Sequence, residues 1–285
     1  MQSDNKKSIC RTCMHHCVLE PGQRGKCRAR KNRDGTIVCE NYGRITALAL
    51  DPIEKKPLRR FYPGSMILSA GSYGCNLNCS FCQNYPISMA GEEELWEETG
   101  GWQIISPQEM AAKAWACRER GNIGLAYTYN EPLVGWEYVR DTARAVRAYG
   151  MVNVLVTNGC ATAQVLDSIL PLIDAANIDL KGFREAYYKK LGGSLEIVKD
   201  CITRAVKTSH VELTTLIVPG ENDSIEEMEE EARWIASLSR EIPLHITRFF
   251  PRYRMSDREA TDVGQLHRLA QVAEKYLDYV YLGNC

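Results

Sequence analysis

Long apolar runs are missing from this chain. No stretch of its 285 residues approaches the roughly 18 apolar residues that a membrane-crossing helix needs. The opening MQSDNKKSIC also lacks the apolar centre of a secretory signal. Both absences point to a cytoplasmic protein with no membrane partner. Net charge is missing too: 35 Lys and Arg against 36 Asp and Glu leave no field to draw the chain to nucleic acid. There is no internal repeat and no low-complexity tract. No G-x-G-x-x-G follows the first expected strand, which counts against a dinucleotide site.

What the chain does have is cysteine, twelve in all. In a reducing compartment that many thiols point to metal before disulfides. They are unevenly spread. Cys10, Cys13, Cys17, Cys27 and Cys39 crowd the N-terminus, and Cys75, Cys79 and Cys82 form a second group. Two dense groups predict two metal sites. Cys117, Cys160, Cys201 and Cys285 are scattered and read as small buried hydrophobes.

Three regions are expected. Residues 1–45 are polar, basic and Cys-rich without apolar periodicity, a segment small enough to need metal to fold. Residues 46–64, with three prolines in DPIEKKPLRRFYPG, read as a connector. In 65–285 strand-like and helix-like segments alternate. Strands are predicted at 66–70, 123–128, 152–157, 175–178, 211–218, 244–250 and 279–282. Helices are predicted near 106–120, 134–149, 162–170, 195–209, 224–239 and 261–277. Capping boxes at Ser106–Glu109 and Ser224–Glu227 open two of them. Such alternation means right-handed βαβ units and a parallel sheet, whose six or so repeats either close partly into a barrel or open into a doubly wound sheet; the expected α/β fold is a partial (β/α)6, TIM-like barrel. Cys75, Glu131, Asn158, Asp179 and Lys181 each fall just past a strand's C-terminal end, where parallel barrels place their active sites.

The second cysteine group reads Gly-Cys-Asn-Leu-Asn-Cys-Ser-Phe-Cys-Gln-Asn, a C-x3-C-x2-C spacing with no fourth cysteine within ligand spacing. Three thiolates hold three irons of a [4Fe–4S] cube and leave the fourth open; the competing reading is zinc with a distant fourth ligand. This loop at a barrel mouth resembles that of the radical S-adenosylmethionine superfamily. The resemblance implies that S-adenosylmethionine chelates the open iron and is cleaved by one electron. The 5′-deoxyadenosyl radical so formed abstracts hydrogen from substrate. It places Phe81 beside the adenine.

Asn84 is similar to its counterpart in the glycyl-radical-enzyme activases, the group of the pyruvate formate-lyase-activating enzymes. Tyr129-Asn130-Glu131-Pro132 stands where those activases have Gly-Gly-Glu-Pro and implies contact with the cofactor's amino group. Thr157-Asn158-Gly159 matches their Thr-Asn-Gly, but Val156 replaces the preceding Asp, so the resemblance supplies no monovalent-cation site. Asp179-Leu180-Lys181 matches their Asp-Leu-Lys and implies that Lys181 meets the cofactor carboxylate. Across nearly the whole chain the pattern is most similar to the radical enzymes of the AmmeMemoRadiSam system. The shared features are a Cys-rich head, Asp51–Leu58, the cysteine loop, Thr128–Pro132, Thr157–Gly159, Asp179–Lys181 and Tyr281–Asn284.

In the head, Cys10, Cys13, Cys17 and Cys27 supply four thiolates, enough to close a zinc site or a second iron–sulfur cluster of structural or electron-relaying use. His15 and His16 are possible substitutes. Glu92–Glu94 with Glu97 and Glu98 form an acidic run that reads as a solvated loop. Strand alternation lets only one of His245 and Arg248 face the interior; Arg252 and Arg254 sit past that strand's end. The expected function is activase-like: hydrogen abstraction from a partner protein, with an external electron donor of flavodoxin or ferredoxin type. The rivals are the same chemistry on a metabolite, and a non-catalytic iron–sulfur or zinc protein.

Overall fold

A computed structural model describes residues 6–89, 95 and 100–285. The acidic run at Glu92–Glu94, Glu97 and Glu98 lies outside the described residues.

In the head, Ser8–Ile9 pairs with Val18–Leu19, and Arg30–Arg33 with Thr36–Cys39. The second hairpin turns at Asp34-Gly35, both at positive φ (50° and 95°), which matches the twist of paired strands. Buried Asn32 pins the turn. Its Oδ1 accepts from the Gly35 N–H, and its amide donates to the Lys6 and Leu19 carbonyls.

The rest is built on one eight-stranded sheet. Its strands are β1 (Ala47–Pro52), β2 (Met66–Gly71), β3 (Asn122–Tyr127), β4 (Val152–Thr157), β5 (Ala175–Asp179), β6 (His210–Ile217), β7 (Leu244–Arg248) and β8 (Val280–Gly283), in that spatial order. β1 is antiparallel to β2, and the other six pairings are parallel. The order never reverses. Right-handed crossovers then put every helix on one face, and the sheet curls into an open barrel, as the alternation predicted.

Besides a single turn at Tyr85–Ser88, the α-helices among the described residues are α1 (Pro107–Ala116), α2 (Trp136–Ala148), α3 (Ala163–Ile169), α4 (Glu185–Leu191), α5 (Leu195–Ala205), α6 (Ile225–Leu238) and α7 (Val263–Ala273). In α2 the buried side chains recur at helical spacing, from Tyr138 and Val139 to Thr142, Ala143 and Val146. The capping box opening α1 is complete, with Pro107 at the first position. At α6 it is half formed: Ser224 Oγ accepts from the Glu227 N–H, but the Glu227 carboxylate accepts from Phe183 N–H instead.

The expected connector, residues 46–64, is not a linker. It begins as edge strand β1 and then crosses the bottom of the barrel as a strap. The Pro57 carbonyl accepts from Asn177 of β5 at 2.9 Å, and the Arg59 and Arg60 N–H groups donate to Glu212 of β6 at 3.0 and 2.7 Å. Ile53 and Leu58 pack inside against Ile67, Ala126, Val154 and Ala175. Arg60 and Arg59 then reach the far edge, over the rings of Tyr279 and Tyr281. An open sheet leaves its first and last strands unpaired; this strap spans the gap.

Candidate active site

The C-terminal ends of the strands surround a cavity of about 590 Å³ that reaches from the cysteine loop down to the strap. Phe81, Asn84, Asn130, Glu131, Asn158, Asp179 and Lys181 all line it with Cys75, Cys79 and Cys82. The mouth therefore gathers every expected barrel residue.

The three cysteines leave β2 on one loop. Cys79 is buried, and Cys75 and Cys82 are half-buried. Burial raises all three thiols, Cys79 to about 12. Burial of this kind disfavours free thiolates, and a bound metal is what would make thiolates stable there. Donors already face one sulfur: Leu77 N–H at 3.4 Å and Asn158 Nδ2 at 3.6 Å from Cys75 Sγ. Lys181 Nζ lies 2.8 Å from Asp179 Oδ2. Burial works against its charge, but Asp179 and the neighbouring cysteine sulfurs outweigh it and raise the ammonium above its ordinary value.

Glu131 is sealed in, and burial pushes its carboxyl up to about 7 against three hydrogen bonds that lower it. Oε1 accepts from Leu133 N–H and Thr157 Oγ1, and Oε2 from Asn158 N–H, at 2.7 to 2.9 Å. Asn130 is engaged at both ends: Ser72 N–H donates to Oδ1, and Nδ2 donates to the Tyr73 and Gly74 carbonyls. Asn158 bridges Cys75, Asn76 and the Cys160 N–H. These three side chains tie the strand ends to the cysteine loop. Asn84 Nδ2 holds the Tyr129 carbonyl at 2.7 Å. Tyr129, and not Asn130, takes the left-handed backbone (φ 71°) that glycine would adopt easily. Its hydroxyl anchors it, donating to Asp51 Oδ2 at 2.7 Å.

His245 faces the cavity, whereas Arg248 turns away and donates to the Thr261 carbonyl. Past β7, Arg254 N–H donates to the Ser80 carbonyl, and Tyr253 stacks on Tyr85 with centroids 4.6 Å apart, so this segment backs the cysteine loop. Sequence reasoning missed Lys56, which lines the cavity, and Asp51 and Glu212, the buried carboxylates behind its wall. The available signal was Glu212, a charge at an inward position of a strand.

The head presses on the same loop. Gly74 (φ 88°) has no space for a side chain, since a Cβ would sit 2.4 Å from the Cys27 carbonyl oxygen. His15 Nε2 lies 2.8 Å from the Asn76 carbonyl, and Thr162 bonds to the Arg11 and Thr12 carbonyls. Arg30 forms a bidentate pair with Glu137 of α2, both contacts 2.7 Å. Cys10, Cys13 and Cys27 are buried and Cys17 half-buried. Burial raises Cys13 to about 11, with the charges of Cys27 and Cys10 adding to it. Among the described residues no three His, Cys, Asp or Glu side chains close up around a single ion.

Residues 70–235 match the Radical SAM superfamily. The chain belongs to that superfamily. It is also 38% identical over 286 residues to an uncharacterized protein of Methanocaldococcus jannaschii, covering 99% of this chain and 82% of that one. Similarity to the pyruvate formate-lyase 1-activating enzyme of Escherichia coli is 26% over 160 residues, 53% of this chain and 60% of the enzyme. Among solved structures, a radical SAM methyltransferase from Sphaerobacter thermophilus shares the fold, with a TM-score of 0.58 at 17% identity over 78% of this chain and 67% of that one. The radical SAM protein therefore takes a [4Fe–4S] cluster and S-adenosylmethionine. Its mouth suits them: three soft sulfur donors with N–H groups aimed at one of them, beside a half-buried ammonium. No helix among the described residues is long and apolar enough to cross a membrane.

Proposed function

We propose that Cys75, Cys79 and Cys82 hold the [4Fe–4S] cluster and that the chain abstracts a hydrogen atom from a substrate seated in the barrel. When bound, the reduced cluster supplies the electron that splits S-adenosylmethionine into methionine and a 5′-deoxyadenosyl radical, which takes that hydrogen. The observation that carries this reading is convergence: three cysteines from one loop and Lys181 from another strand end face a single cavity. Lys181 binds the cofactor carboxylate as a point charge, held in place by Asp179. The one lone-pair position left on Glu131, with backbone carbonyls of Thr128–Asn130, receives the cofactor amine. Phe81 covers the adenine, and Asn84 fixes the backbone at Tyr129. Asn130 and Asn158 keep the two loops in register. An external one-electron donor of flavodoxin or ferredoxin type reduces the cluster.

Likeness to the pyruvate formate-lyase activase supports a partner protein as substrate. A second reading, a small metabolite, is favoured by the strap, which closes the barrel floor and lines the far end of the cavity with side chains. The head, as residues 1–45, folds around a separate metal on Cys10, Cys13, Cys17 and Cys27.

Anaerobic reconstitution with iron and sulfide, then S-adenosylmethionine and dithionite, tests the chemistry. The wild-type chain should release 5′-deoxyadenosine. Alanine at Cys75, Cys79 and Cys82 together should remove about four irons and all cleavage. Cleavage that survives the triple change refutes the assignment.

A further inference from the structure

One layer below the mouth, the interior of the barrel is polar. Thr214 of β6 is in register with His245 of β7, and Asn177 of β5, in register with Glu212, stands diagonally beside Thr214. Thr214 Oγ1 donates to Asn177 Oδ1, and Asn177 Nδ2 donates to the Pro57 carbonyl of the strap. Next to Pro57 stands Lys56, only 3% exposed. Lys56, Arg59 and His245 all line the cavity.

The carboxylates that balance these groups stand behind them, outside the cavity wall. Asp51 Oδ2 lies 2.8 Å from Lys56 Nζ and accepts from the Tyr129 hydroxyl. Glu212, fully buried, lies 2.6 Å from His245 Nε2 and accepts from two strap N–H groups. Both are held well below the usual carboxylate range, at about 2: burial opposes this, but the donors around each outweigh it. With Nε2 committed to Glu212, His245 Nδ1 has no partner among the described residues. Arg59 has only the Tyr281 ring, 5.5 Å from its guanidinium, and no carboxylate among the described residues. Glu54, the carboxylate lining this end, accepts from the Gly64 N–H.

We propose that Lys56, Arg59 and His245 form an anion subsite that receives the carboxylate or phosphate of a small acidic substrate. Two cationic donors and the His245 ring face the cavity, and two carboxylates orient Lys56 and His245 from behind. A neutral ligand would leave Arg59 without a counter-charge, whereas an anion satisfies the open N–H positions of Lys56 and Arg59. The His245 ring, with Nε2 engaged by Glu212, completes the wall of the subsite. The subsite rests on the radical reading of the mouth and specifies its metabolite branch. It holds the acid group of the substrate away from the cysteine loop and so sets which carbon faces the mouth.

Inorganic phosphate and succinate, each titrated calorimetrically into the reconstituted full chain at constant ionic strength, test the proposal. At least one should bind saturably. Arg59→Met and Lys56→Met should each weaken it about tenfold or more, the loss of one charge-assisted hydrogen bond. Arg59→Met keeps the backbone N–H that Glu212 uses, so it stays folded and informative even where Lys56→Met is not. Binding of neither anion, or equal binding by wild type and Arg59→Met, overturns the subsite. Cleavage of S-adenosylmethionine by the wild-type chain is scored separately; its absence sinks the radical reading and leaves the anion result standing.

Discussion

Replacing Glu212 by Gln probes the buried carboxylate on which the strap depends. Oε1 accepts from Arg60 N–H and His210 Nε2, and Oε2 from Arg59 N–H and His245 Nε2. An amide nitrogen in either position faces a backbone N–H that it cannot accept. One buried donor left unsatisfied costs about 1–3 kcal/mol, and the bonds that remain lose their charge assistance, about 1 kcal/mol more each. With three bonds remaining, a total of about 4–6 kcal/mol follows, or a fall in Tm of about 8–12 °C for a chain of this size. Differential scanning calorimetry at pH 7 reads it. The pH dependence has a fixed sign. Glu212 is lowered to about 2 in the fold, so its stabilisation is present above its unfolded value of about 4.3 and is lost as pH falls toward 2. The gap between wild type and Glu212→Gln should hold from pH 7 to 5 and narrow below about pH 4.3. A Tm within about 2 °C of wild type at pH 7, or a gap that stays constant from pH 5 to 3, refutes the reasoning.

Gly74→Ala should unfold the contact between head and cysteine loop, since its Cβ would meet the Cys27 carbonyl at 2.4 Å from a left-handed backbone; limited proteolysis should release the head, and an intact, protease-resistant variant would contradict the packing. Lys181→Met should weaken S-adenosylmethionine binding roughly ten- to hundredfold through loss of one charge-assisted hydrogen bond, read by equilibrium dialysis with the reconstituted protein; unchanged affinity counts against the carboxylate contact. Cys10→Ala combined with Cys13→Ala should strip the head of its metal. Elemental analysis then shows either zinc lost, with the head unfolding, or a second set of irons lost, with slower cofactor cleavage. Neither metal in the wild-type head, with the head still folded, would end the two-site reading.

The sequence alone determined the repeating architecture and the position of the mouth. Local signals carried both. Val152–Thr157 was predicted as a strand to its last residue, because an apolar β-branched run bounded by Gly150 and Asn158-Gly159 has few alternatives. Ser106-Pro-Gln-Glu placed the start of α1 because a capping box is complete within four residues. The cysteine spacing pointed to the superfamily, since three cysteines on one short loop reach the same cavity. Helix α4 escaped notice: Arg184 gives it no side-chain cap and Tyr187 and Tyr188 are weak helix formers, so its local signal is confined to the Gly192 C-cap, and burial of Tyr187, Tyr188 and Leu191 supports it.

Tertiary structure alone decided which partners the polar side chains take. Residues 46–64 read as a linker because three prolines and mixed charge erase any period, while their hydrogen bonds run to Asn177 and Glu212, over 100 residues away in sequence. Asn130 and Asn158 matched a cofactor motif, yet the fold engages both in joining strand ends to the cysteine loop. His245 and Arg248 were equal candidates until strand register turned one inward. Motif spacing is written in neighbouring residues. The identity of a donor's acceptor depends on which strands the sheet brings side by side, and no local pattern encodes that.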